Sequence, residues 1–273
     1  MYLDNPNIKL PEDPETIVWK YLDLSKFLDL LLSKKLFMSR SDKFEDQYEG
    51  TFSEPTFEEI RKLSIDNPDF LNYYKTHREK VAISSWHINE YESFAMWQIF
   101  TQNSEGLAIQ STIGRLQKAL QPEEHFQQYI GEVNYIDYKK EYIPFDDLFF
   151  PFLYKRKSFQ YEREVRIISD VTQNNLKLND GLKINVDVNL LIEKIYIHPK
   201  SENWYKNLVI QLTELVQSKF ESLGYDKEYG RVEMSNRPDL CQYQCNGALK
   251  AAKIYKKAPI AIANEVAESL KQE

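Results

Sequence analysis

Glycine is scarce here, with 8 in 273 residues, and cysteine scarcer still, with 2. Few glycines leave few places where bare backbone could cradle a phosphate. Neither a GxGxxG dinucleotide fingerprint nor a P-loop pattern occurs. Cys241 and Cys245 stand close together in "CQYQC", and no second Cys or His pair completes a metal site. Two reduced thiols are the expectation. No apolar run approaches the length needed to cross a bilayer. The opening "MYLDNPNIKLPEDPET" has neither a basic nor an apolar leader region, so no secretory signal is expected and the cytosol is the expected compartment. A net charge of −7 excludes broad electrostatic binding to nucleic acid or to an anionic membrane, while leaving room for a local basic patch.

What is present is an ordinary globular balance, 42% apolar and 28% charged, enriched in rings: 18 Tyr and 15 Phe. Alternation and β-branched content predict strands at 17–22, 81–87, 106–111, 131–137, 164–169 and 193–198. Helical periodicity follows Ser25, covers 55–78 in two pieces parted by Pro68, opens again near Glu92, and is longest over 201–223. Pro259 should break or kink a helical tail. Strands and helices mix without strict alternation. The expected fold is therefore a single α+β domain with a central mixed or antiparallel sheet flanked by helices. An extended arm over 1–15, a core over 16–240 and a helical tail over 241–273 complete the expected organisation.

Three segments concentrate the chemistry. "RSDKFEDQYEG" places Asp42, Glu45, Asp46 and Glu49 beside Arg40 and Lys43. Such carboxylates could hold Mg²⁺ or move protons, or simply form a solvated acidic loop. In "SSWHINEYESFAMWQIF", Trp86, Met96 and Trp97 suit a core. His87 either caps and bonds within the interior or orients a substrate. In "KRKSFQYEREVRI", alternation would set Glu162, Glu164 and Arg166 on one strand face, downstream of Lys155, Arg156 and Lys157, the one dense basic stretch. Ion pairing across a solvated face accounts for that arrangement. So does a phosphate-bearing ligand held by Arg while a Glu does chemistry.

Together these segments resemble a family of uncharacterised bacterial proteins with a domain of unknown function. The resemblance rests on "VWKYLDLSKFLDLLLSKKLFMSRSDKFEDQYEG", a WHxNExESxAMWxxY core in which Phe100 stands in the Tyr place, "GLAIQST", and a KRxSFxxERExR run. It spans residues 17 to 235 and implies no stated activity. The layout is also similar, at fold level, to ADP-ribosyltransferases. That similarity implies an NAD site formed by Lys20, Tyr21 and Ser39, and a catalytic Glu164 or Glu162 stabilising an oxocarbenium-like transition state. The usual His or Arg of the first strand is missing here.

The expected function is therefore an ADP-ribosyltransferase-like enzyme using NAD, a toxin or phage-defence effector. Its catalytic residues would be Glu164, Glu162 and His87, with Lys20, Tyr21, Ser39, Arg156 and Arg166 binding the cofactor. Its partners would be a nucleotide or other phosphate-bearing small molecule and a nucleic-acid or protein acceptor, with no membrane. Two alternatives stand beside it. One is a metal-dependent nuclease or phosphoesterase using Asp42, Asp46, Glu162 and Glu164. The other is a ligand- or protein-binding module without catalysis.

Overall fold

The computed structural model describes residues 8–63, 76–101, 104–123, 126–147, 149–172, 177–205, 207–208, 221–224, 226, 232–233, 244–245, 251–252 and 254–270. It is an α+β protein built on a large antiparallel sheet. The chain divides into two compact units: residues 1–18, 30–90 and 112–187 form unit 1, and residues 19–29, 91–111 and 188–273 form unit 2.

In unit 1 the antiparallel order is β9 (Gly181–Asn185), β2 (Lys35–Arg40), β3 (Val81–Ile88), β8 (Glu164–Asp170) and β5 (Gln127–Glu132). β3 and β8 read as near-continuous buried runs, because strands flanked on both sides have little solvent face to supply with polar residues. Ile83 and Ile168 face each other across them and pack with Ile8, Val81, Phe152 and Leu153. A second cluster gathers Phe52, Ile60, Ile136, Tyr138 and Ile143. The strand expected over 131–137 is two strands. Val133 donates to the Glu164 carbonyl at 2.9 Å and Asn134 to that of Leu153 at 2.8 Å. The chain thus leaves β8 and starts β6 (Asn134–Ile136), which pairs in parallel with β7 (Tyr154–Arg156).

Unit 2 holds most of β1 (Ile17–Asp23), with β4 (Gly106–Thr112) paired antiparallel to β10 (Lys194–Ile197). A short helix, Phe94–Phe100, is capped by the Ser93 hydroxyl, which accepts from the Met96 amide. Tyr21 fixes that cap from outside, its hydroxyl accepting from the Ser93 amide at 2.8 Å. Met96 and Trp97 point inward, as their spacing predicted, and Trp86 is equally buried on β3. Val232–Glu233 and Gln244–Cys245 form a two-stranded pair, and Pro259 begins a helix, Pro259–Leu270, where a missing amide costs nothing. The helices read over 201–223 and around Pro68 fall largely outside the described residues.

Candidate functional site

β3 and β8 place His87 opposite Glu164 and Ser85 opposite Arg166. Opposed residues of antiparallel strands share a face, so alternation alone gathers these four side chains at one end of it. Glu162 joins them by another route. It does not extend β8, as the sequence suggested, but ends a 3-10 turn, Lys157–Glu162, and Arg163 then turns the chain at φ +41°. Lys155 of β7 completes the set by reaching both carboxylates. Its Nζ donates to Glu162 and, at 2.8 Å, to Glu164 Oε1.

Glu49 arrives from the loop after β2. Gly50 follows it at φ +66°, where a Cβ would collide with the Phe152 ring, so only glycine lets the loop turn inward there. Arg166 binds both oxygens of Glu49, donates from Nε to Glu164 at 2.6 Å, and donates to the Phe152 carbonyl at 2.7 Å. It is 0% exposed. Three carboxylates (Glu49, Glu162, Glu164) thus share two cations out of water.

That imbalance is resolved by a proton. Burial and the neighbouring Glu164 push the Glu162 carboxyl up to about 8, so it is protonated at neutral pH. Burial works against the Glu164 charge as well, but Arg166 and Lys155 outweigh it and hold that carboxyl well below the usual range. Two carboxyls driven in opposite directions are a chemical acid and its conjugate base held side by side. His87 is nearby and neutral, its pKa lowered chiefly by burial. Its Nδ1 lies 2.6 Å from the Glu162 carbonyl, which can only accept, so the proton sits on Nδ1. Nε2 is left with a lone pair, buried, and has no partner among the described residues.

Ser39 and Arg156, also expected in the site, make other contacts in unit 1. Ser39 pairs with Ile83, four residues along β3 from His87, roughly 13 Å by strand rise. Arg156 grips Asp46 at 2.8 Å and lies over the rings of Tyr48 and Phe159. Lys20 and Tyr21 belong to unit 2. The acidic loop is not the helix that would align its carboxylates. Beyond a 3-10 turn at Ser41–Lys43, Asp42 pairs with Arg40, Asp46 with Arg156 and Glu49 with Arg166. Among the described residues no group of three or more His, Cys, Asp or Glu is disposed to hold a metal, and no helix is long and apolar enough to cross a membrane.

Comparison with known proteins points to a class at the other end of the chain. Residues 210–273 match the family model of the arginyl tRNA synthetase N terminal domain. An arginine–tRNA ligase of Alkaliphilus oremlandii is 61% identical over 64 residues, 23% of this chain and 11% of that protein. Those of Agathobacter rectalis and Francisella tularensis subsp. novicida are 52% and 40% identical over 68 and 67 residues, 25% and 24% of this chain. The chain covers 11% to 12% of the length of these relatives. No solved structure matches it.

These matches correct the sequence reading. The relatives found are ligases of arginine and tRNA. They are neither an uncharacterised family nor ADP-ribosyltransferases. NAD as cofactor, the toxin and phage-defence roles, and the nuclease and phosphoesterase alternatives are withdrawn with them. The physical reason for the misreading is visible in unit 1. Glu162, Glu164 and Arg166 look like a nucleotide site in sequence, yet the Arg166 guanidinium is wholly committed to internal partners.

Proposed function

We propose that this protein serves the attachment of arginine to tRNA, with residues 210–273 supplying contact to the tRNA. The observation that carries this is the 61% identity to an arginine–tRNA ligase over 64 residues. Charge distribution supports it. Residues 210–273 hold nine Lys or Arg against nine Asp or Glu, so the whole acidic excess lies elsewhere in the chain. A neutral segment in an acidic protein is where a polyanion meets least repulsion. Within it Lys256 and Lys257 are exposed, just before the Pro259–Leu270 helix. The cytoplasm is the matching compartment.

The division into arm (1–15), core (16–240) and tail (241–273) belongs to the same proposal, the tail lying inside the matched segment. Glu162, Glu164 and His87 remain the groups of unit 1 suited to moving a proton. Filter binding of the intact protein to an arginine-accepting tRNA and to a tRNA of another specificity, at low and moderate salt, tests the reading. Preference for the arginine acceptor is expected, with a shallow salt dependence because few net charges take part. No binding to either tRNA at low salt ends the proposal.

A further inference from the structure

The turn Lys157–Glu162 joins β7 to β8 and is fastened to unit 1 chiefly through its last residue. Lys157, Ser158, Gln160 and Tyr161 are exposed, whereas Glu162 is buried. The Glu162 carboxyl accepts from Lys155 Nζ, and its carbonyl lies 2.6 Å from His87 Nδ1. Phe159 adds a softer contact, its ring centroid 4.6 Å from Lys155 Nζ and 5.2 Å from the Arg156 guanidinium. The pair of Lys157 with Glu141 is open to water on both sides and so holds weakly. Just past the turn, Arg163 is anchored separately. Its carbonyl accepts from the Ile88 amide at 2.8 Å, and its guanidinium donates to Asn89 at 3.2 Å.

Among the described residues, Glu162 faces Lys155 from β7, Glu164 and Arg166 from β8, and Glu49 from the loop after β2. His87 of β3 and Tyr135 of β6 border it and are neutral, burial being the main cause in both. Tyr161 and Arg163 flank it along the chain. Burial opposes the charges on Lys155 and Arg166, but the carboxylates around them outweigh it. These two cations balance two anions, and a third carboxylate has no counter-charge in the enclosure. Glu164 cannot leave, being locked in register with β3 and bonded by both cations. Glu49 is gripped at both oxygens by Arg166. Of the three, Glu162 belongs to the segment that already stands in water.

We propose that the turn Lys157–Glu162 is a proton-released strap, closed over Lys155 and Glu164 while Glu162 is protonated and swung outward when its proton leaves. Closed, the Glu162 carboxyl accepts from Lys155 and gives its hydrogen bond to Glu164. Deprotonated, it meets Glu164 as a second anion, and water solvates that charge better than the interior does. Arg163, at φ +41°, is the hinge, because its tie to Ile88 does not depend on Glu162. Opening uncovers Lys155 and His87 while β8 keeps its pairing with β3 and β5. The Glu162 carboxyl is pushed up to about 8, chiefly by burial, so mild alkalinity is the trigger.

Trypsin cleavage of the intact protein reads the strap, since Lys157 lies within it. Lys257, exposed before the Pro259–Leu270 helix, is the internal reference. The ratio of the two cleavage rates, followed by mass spectrometry, cancels the protease's own pH dependence. That ratio should rise about tenfold between pH 7 and pH 9, as the deprotonated fraction goes from roughly a tenth to roughly nine-tenths. In Glu162→Gln, whose amide has no proton to lose, it should stay level. Far-UV circular dichroism of the wild type should be the same at both pH values. A level ratio in the wild type, an equal rise in Glu162→Gln, or loss of circular dichroism at pH 9 would overturn the inference. The wild-type ratio decides by itself if the variant does not fold.

Discussion

The two units treat their unusual residues in opposite ways. Unit 1 takes five ionisable side chains out of water and pairs each of them. Arg166 and Glu49 are almost wholly enclosed, and every guanidinium nitrogen of Arg166 has a partner. The most exposed rings among the described residues belong to unit 2. Tyr91, Phe94 and Trp204 are 50% to 64% exposed, and among the described residues Glu105 and Glu202 have no cationic partner. Enclosed and paired charge suits architecture, whereas open side chains are the ones a partner can reach. A residue's chemical reputation is thus a poor guide to its task. The catalytic-looking Glu–Arg motif sits in the closed unit, and the plainer Trp–Glu pair sits in the open one.

The sharpest way to break this contrast is Arg166→Leu. Three carboxylates would then share Lys155 alone, and the loss should be about 3–5 kcal/mol, read by urea unfolding of the intact chain. A cost below about 1 kcal/mol would mean the network is ornament. Glu164→Gln should come next, because it strips the fully charged carboxylate from between Lys155 and Arg166.

Glu162→Gln should cost much less near neutral pH, since an amide resembles the protonated acid already there. Its signature is in pH dependence. Folding lifts this carboxyl from 4.5 to about 8, so the native state keeps a proton that the unfolded chain has lost. Stability from this group is complete below about 4.5 and is lost as pH rises through about 8. Glu164 works in the reverse sense, its contribution present above the usual carboxylate range and lost on acidification. Comparing melts at pH 5 and pH 8, wild type should lose more stability than Glu162→Gln. Parallel losses would show that Glu162 does not carry the proton.

The smallest effects belong to unit 2. Phe94→Ser and Phe100→Ser should change unfolding by no more than about 0.5 kcal/mol, as expected for surface positions. A loss several times larger in the same melts would place those rings in a packed interior.

Much of the architecture was legible because it follows from period and burial. The β-rich runs in "KVAISSWHI" and "EVRIIS" mark β3 and β8, and helical spacing turns Met96 and Trp97 inward. The break after Glu132 was not legible, since two strands with different partners look like one when only alternation is read. Glu162 was placed correctly beside Glu164 for the wrong reason. A left-handed Arg163 does the turning, and nothing in "YEREV" announces it. Glu49 carried a weak signal, the glycine that follows it, but its partner lies far along the chain. Sequence spacing cannot bring Glu49 and Arg166 together.

That last kind of distance has a kinetic consequence in unit 1. Lys155 and Glu162 are seven residues apart, whereas Arg166 and Glu49 are separated by 117. The nearby half of the network can assemble as soon as its turn forms. The distant clamp must wait until a long loop has closed, at an entropic cost that precedes its reward. Substitutions at Glu49 should then shorten the lifetime of the native state while hardly slowing its formation. The bidentate clamp acts as a latch, set last and governing how long the folded unit persists.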